Sequence, residues 1–136
     1  MTKEPLPEAQ SAPQGDARHV SLLWAAPDQA AAVAEIHAKL FSPAWSVESV
    51  RNLLDHPAST AFIAVIAGQP PTTVGFVMAQ LAADEAEILS IGVLPEWQRN
   101  GIGRRLVEGV ARAARRAEAK AVHIEVAADN DAAMEL

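Results

Sequence analysis

The apolar positions of this chain repeat with two different periods, and the alternation between them predicts its elements. His19-Val20-Ser21-Leu22-Leu23-Trp24 is short, apolar and partly β-branched, the mark of a first strand. Pro27 and Asp28 open a helix in which Ala31, Val33, Ala34, Ile36, Leu40 and Phe41 recur at helical spacing, with Asp28, Glu35 and Lys39 on the other side. Pro43 forbids its continuation, and Ser46, with Glu48 close behind, caps a second helix through about Asp55. The nearly continuous apolar run Ala61 to Ala67, the turn Gly68-Gln69-Pro70-Pro71 and the run Thr73 to Leu81 predict an antiparallel pair of strands. Asp84 and Glu85 make the next turn and Ile88 to Val93 the next strand. A helix over 101 to 118 follows, with Ile102, Leu106, Val107, Val110 and Ala114 on one face and Arg104, Arg105, Arg112, Arg115 and Arg116 elsewhere.

From Ala121 to Val126 the pattern alternates: Val122, Ile124 and Val126 point one way, His123 and Glu125 the other. Asp129-Asn130-Asp131 would cap a last short helix from Ala132. The order is an α+β plan with a mixed, mostly antiparallel sheet flanked by helices. Trp45, between the first two helices, admits two readings: a plug between the helices or the wall of a substrate groove.

Composition narrows the class. With 136 residues, half of them apolar, the chain supports one ordinary core. Residues 1 to 17, with Pro5, Pro7 and Pro13 among small polar residues, are expected to be a flexible tail, and residues 18 to 136 the domain. The absence of cysteine removes disulfides, thiolate metal sites and a cysteine nucleophile, and suits a reducing cytoplasm. No run of eighteen apolar residues and no signal-peptide pattern is present, so neither a membrane partner nor export is expected.

A net charge of −6 argues against a nucleic-acid partner, but the charge is unevenly spread. Between Arg99 and Lys120 seven basic residues face only Glu108 and Glu118, a local +5 that leaves −11 for the remainder. The segment begins at a strand-to-helix turn, Gln98-Arg99-Asn100-Gly101-Ile102-Gly103-Arg104, whose first helical N–H groups lack intrahelical partners and so form an anion site. Spacing discriminates among the glycine motifs that hold phosphates. A dinucleotide fingerprint needs a third glycine where Leu106 stands, and a P-loop needs Gly-Lys and then a hydroxyl where Arg104 and Arg105 stand. What remains is Gln-x-x-Gly-x-Gly.

Ile91-Gly92-Val93 followed by Gln98 to Arg104 resembles the acetyl-CoA motif of the GNAT N-acetyltransferase superfamily. Pro43-Ala44-Trp45-Ser46, Ala86-Glu87-Ile88-Leu89 and Ile124-Glu125-Val126 followed by Asn130 are similar to its RimI branch, which acetylates the N-terminal alanine of a ribosomal protein. The resemblance implies the GNAT acyl-CoA N-acyltransferase fold and acetyl-CoA as acetyl donor, without a metal. It implies that the backbone of Ile91, Gly92 and Val93 holds the acetyl and pantetheine portion, and that the amides of Arg99, Asn100, Gly101, Ile102, Gly103 and Arg104 wrap the pyrophosphate. Gln98 and Asn130 complete the implied cofactor site. Glu125 is implied as the general base that deprotonates the acceptor amine, while His123 either assists or fills space. Arg112, Arg115 and Arg116 read as a solvated helix face.

The chain departs from the branch in two places. It contains no tyrosine, whereas the family's pattern carries, shortly after Asn130, a tyrosine that protonates the departing thiolate. The expectation is a C-terminally incomplete domain that binds the cofactor better than it turns it over. Ala127 stands where the branch commonly has an arginine. Three functions stay open: acetylation of a protein N-terminus, acetylation of a small-molecule amine, and non-catalytic binding of acyl-CoA.

Overall fold

The computed structural model describes residues 19 to 124. In chain order these form β1 (Val20–Trp24), a 3-10 turn (Pro27–Gln29), α1 (Ala30–Leu40), α2 (Val47–Asp55), β2 (Ser59–Ile66), β3 (Thr72–Ala82), β4 (Glu85–Val93), a second 3-10 turn (Pro95–Trp97), α3 (Ile102–Arg116) and β5 (Ala121–Ile124). The strands lie side by side in sequence order in one sheet. Neighbours are antiparallel except β4 and β5, which are parallel because α3 carries the chain back along the sheet. The expected mixed, mostly antiparallel α+β plan is present.

Both faces of the sheet are covered, which is why β2 and β3 read as apolar runs rather than alternating ones. On one face Val20, Phe62, Ala64, Val77, Ile88, Ile91 and Val93 pack with Leu106 and Val110 of α3. On the other, Ile63, Phe76 and Met78 pack with Val33 and Ile36 of α1 and with Val50 and Leu54 of α2. β4 changes parity between the two cores. Met78 pairs with Ser90 and Ala79 with Ile88, so Leu89 is an extra residue, a bulge. Ala86 and Ile88 before it, and Ile91 and Val93 after it, therefore all face α3. Gly92 faces α1, where an added Cβ would lie 2.6 Å from Leu40 Cδ1 and 2.9 Å from the buried Phe76 ring.

The buried stripe of α1 is Ala30, Val33, Ala34, Ile36 and His37. Ala31, expected on this face, is exposed. Its place is taken by Ala30 and by His37, whose polar side chain hides its membership of the i, i+3, i+4, i+7 stripe. The His37 ring stacks on Trp45 with centroids 4.7 Å apart, and its Nδ1 accepts the Trp45 backbone N–H at 3.2 Å. Trp45 thus plugs the junction of α1 and α2, the first of its two sequence readings. Ser46 caps α2 as expected, accepting the Ser49 N–H at 3.0 Å.

Several expected boundaries move. His19 precedes β1, and Pro27 and Asp28 lie in a 3-10 turn rather than in the helix itself. The turn before β4 is Ala83-Asp84, with Ala83 left-handed at φ +57°, and Glu85 already belongs to the strand. The helix expected over 101 to 118 runs Ile102–Arg116, with Glu118 left-handed at φ +60° just beyond it. These residues turn the chain sharply, and a period-based reading has no signal for that.

Burial lowers the pKa of His37 from the ordinary 6.5, and a proton on Nδ1 would break its bond to Trp45. Above pH 6.5 both folded and unfolded states hold the ring neutral, so its contribution is fully present. As pH falls below 6.5 the unfolded chain takes up a proton that the fold resists, and stability is lost. Thermal denaturation from pH 8 to 5 is expected to show Tm falling below pH 6.5, with a shallower fall in His37→Gln. An equal pH slope in the variant would remove His37 as the cause.

Candidate functional site

The segment from the end of β4 to the first turn of α3 is held by its own side chains. Leu94 N–H donates to the Val74 carbonyl at 2.9 Å on the β3 side. Across a trans peptide the Val93 carbonyl must then point to the opposite edge. There it accepts Gln98 Nε2 at 2.9 Å. Because Gly75 pairs with Val93 and Val77 with Ile91, the ladder alternation directs the main-chain groups of both Ile91 and Val93 to that edge, away from β3. Asn100 Nδ2 donates to the carbonyls of Trp97 at 3.2 Å and Gln98 at 3.1 Å. The side chains of Gln98 and Asn100, two of the residues expected at the cofactor, brace the loop that carries the anion site.

The braces hold a loop with two left-handed residues, Arg99 at φ +67° and Gly101 at φ +81°. Arg99 costs about 1–2 kcal/mol there, a strain that persists only where neighbouring bonds over-determine the backbone. Gly101 is the N-cap of α3, and no side chain caps that terminus. The first bond of the helix runs from Arg105 N–H to the Gly101 carbonyl at 3.0 Å. The N–H groups of Ile102, Gly103 and Arg104 precede it and have no intrahelical acceptor. An added Cβ at Gly101 would meet nothing within 4 Å, so the space beside the turn at this residue is open. A diphosphate requires closely spaced N–H donors, positive potential and room for close approach, and this turn supplies all three. The residues present therefore fit a diphosphate of the kind that the resemblance implies.

The two glycines do different work. Only Gly101 has positive φ; Gly103 lies within the helix in a conformation open to any residue. Ile102 is buried and reaches the site through its backbone alone, while Arg99 and Arg104 are exposed beside it. Arg105 is turned away, donating from Nη2 to the Val20 carbonyl at 2.9 Å. Arg112, Arg115 and Arg116 are exposed farther along the helix.

Glu125 and Asn130 lie outside the described residues. His123 pairs with Glu85 at 3.3 Å, at the start of β4, the end remote from the loop, so its side chain is engaged away from the anion site. Among the described residues no group of His, Cys, Asp or Glu is placed to hold a metal, and no helix is long and apolar enough to cross a membrane.

Gly101→Ala is expected to lose about 1–2 kcal/mol of stability from the forced left-handed conformation. Gly103→Ala, in helical geometry, should not carry that conformational cost. Urea denaturation of both variants checks this, and a loss of stability at Gly103 would contradict the distinction.

Comparison with known proteins gives three kinds of result. Residues 30–136 match the model of the acetyltransferase (GNAT) family. No curated protein sequence matches the chain. Among solved structures, the ribosomal-protein-S18-alanine N-acetyltransferase from Escherichia coli superposes with a TM-score of 0.74 at 23% identity, over 85% of this chain and 72% of that one. Ard1 from Thermoplasma volcanium gives 0.74 at 22% identity, over 86% and 78%. AAC(6')-Iy in complex with the bisubstrate analog CoA-S-monomethyl-acetylneamine gives 0.71 at 15% identity, over 86% of each chain. Likeness at such identities establishes the fold alone, and the family match over most of the chain carries the assignment: the chain belongs to the acetyltransferase (GNAT) family.

Proposed function

We propose that the protein transfers the acetyl group of acetyl-CoA to an amine, and that the amine is the N-terminal α-amine of a protein of the ribosomal-protein-alanine type. The observation that supports the cofactor is the uncapped first turn of α3, reached through left-handed Gly101 at the end of β4. Acetyl-CoA, when bound, supplies the acetyl thioester. The amides of Ile102, Gly103 and Arg104 hold the diphosphate, with Arg99 and Arg104 adding positive charge. The edge main chain of Ile91 and Val93 lines the pantetheine arm, and Glu125 takes the proton of the attacking amine.

An α-amine suits a single carboxylate base. With a pKa of roughly 7.7 to 8.0 it costs about 1.0 to 1.4 kcal/mol to neutralise at pH 7, against roughly 4.6 kcal/mol for a lysine at about 10.4. The remaining acceleration comes from holding amine and thioester together and from N–H groups facing the developing oxyanion. The second reading is a cationic small-molecule amine. It is favoured by the −11 charge carried outside residues 99 to 120 and by the likeness to AAC(6')-Iy.

Gly103→Ala should weaken acetyl-CoA by tenfold or more in calorimetry, because its Cβ would stand among the phosphate-binding amides. Unchanged affinity would move the diphosphate elsewhere. Release of free CoA is expected with an alanine-terminated peptide and not with the same peptide N-terminally blocked. Turnover with an aminoglycoside but not the peptide would select the second reading. Glu125→Gln should lower kcat by about 10²–10⁴ while leaving acetyl-CoA affinity intact. A silent variant, together with binding but no turnover of any amine, would make the protein an acyl-CoA-binding module instead.

A further inference from the structure

Among the described residues β1 is an edge strand, and its outer edge faces a groove shared with α3. Ala25 N–H donates to the Ala61 carbonyl at 2.9 Å, which makes Trp24 and Phe62 a non-hydrogen-bonded pair. By the alternation of an antiparallel ladder, Leu22 and Val20 share that status, so the N–H and C=O of all three residues point away from β2. The bond from Arg105 to the Val20 carbonyl agrees and occupies one end of this edge. Beyond it the main-chain groups of Leu22 and Trp24 stand two residues apart, the repeat at which an added strand exchanges hydrogen bonds.

The groove beside these groups has a volume of about 270 Å³ and is lined by Leu22, Trp24 and Phe62 on the sheet and by Gly109, Arg112 and Arg116 on α3. Gly109 keeps it open, since a Cβ there would already touch the Phe62 ring at 3.4 Å. Trp24, stacked on Phe62 at 4.5 Å between centroids, remains 58% exposed, and Leu23 on the opposite face of the strand is 49% exposed. Exposed apolar side chains on an edge strand invite pairing with another chain. Among the described residues no acidic residue lines the groove, and β1 and β2 carry no charged residue at all. In a chain of net charge −6, this wall bears two arginines.

We propose that the groove between the outer edge of β1 and α3 receives an extended acidic peptide of a partner protein, which adds to the sheet as a sixth strand. Its main chain bonds Leu22 and Trp24. Carboxylates on alternate residues meet Arg112 and Arg116, and the intervening apolar side chains lie on the other face beside Leu23. The site uses the second half of α3 and the edge farthest from β5, apart from the anion site at the helix start.

The probe is a blocked peptide of alternating glutamate and valine, titrated into the intact protein and followed by tryptophan fluorescence and calorimetry. Saturable binding is expected, weakening with added salt and at least tenfold in Arg112→Ala/Arg116→Ala, whose exposed positions leave folding intact. Trp24→Phe should remove the fluorescence change while binding persists. A peptide with N-methyl groups on the residues facing β1 keeps its charge but cannot pair, and should bind at least tenfold more weakly. No saturable binding, equal binding of the N-methylated peptide, or equal binding of a lysine-valine peptide would overturn the proposal. So would sedimentation showing a dimer that the double arginine variant dissociates, which makes a second copy the occupant. Binding that emerges only when Glu4, Glu8 and Asp16 are neutralised would overturn it in favour of the chain's own N-terminal segment.

Discussion

A sheet buried on both faces commits each strand residue to one of two cores, and one extra residue in a strand exchanges them. The bulge at Leu89 is where this constraint meets the candidate site. Without it, Ile91 and Val93 would face α1 and α2 rather than α3, and position 92 would face α3. With it, Ile91 and Val93 anchor the end of β4 in the core beneath α3, and Gly92 lies flat against Leu40 and Phe76. The glycine at 92 is thus explained by packing as well as by nearness to the site. The anchored end of β4 in turn fixes where the loop to α3 begins.

In the proposed site a diphosphate would meet main-chain groups, and the surrounding side chains serve the main chain. Gln98 ties the loop back to the Val93 carbonyl, and Asn100 bonds the carbonyls of Trp97 and Gln98. Together they support the left-handed turn at Arg99 and Gly101 that aims the helix. Pre-organised amides lose little entropy when an anion arrives, so a loop already shaped by its own hydrogen bonds is well suited to holding one.

The excess positive charge of residues 99 to 120 is divided by the fold among separate tasks. Arg99 and Arg104 stay exposed at the start of α3, Arg105 crosses to β1, and Arg112 and Arg116 flank the groove at the sheet edge. A single basic run in the sequence therefore contains an exposed pair at the helix start, a structural tie and a second surface.

The sequence by itself determined the elements and their class, because period-two and helical repeats, prolines and the Ser46 cap act over a few residues. Gln-x-x-Gly-x-Gly was equally legible, since its strand, turn and helix terminus are contiguous. Partners brought together from distant positions were not legible. Burial on the α1 stripe and stacking against Trp45 made His37 a core residue, and Arg105 reaches a carbonyl 85 positions away. Gln98 and Asn100 have the same side-chain chemistry whether they bind a ligand or a loop carbonyl, so only geometry could show that these side chains bond the loop. Glu125 rests on resemblance and lies outside the described residues. The bulge at Leu89 belonged to tertiary structure: Ala86 and Ile88 alternate with Glu85 and Glu87 before it, Ile91 and Val93 resume the same face one residue out of step after it, and only the pairing with β3 shows which residue is extra.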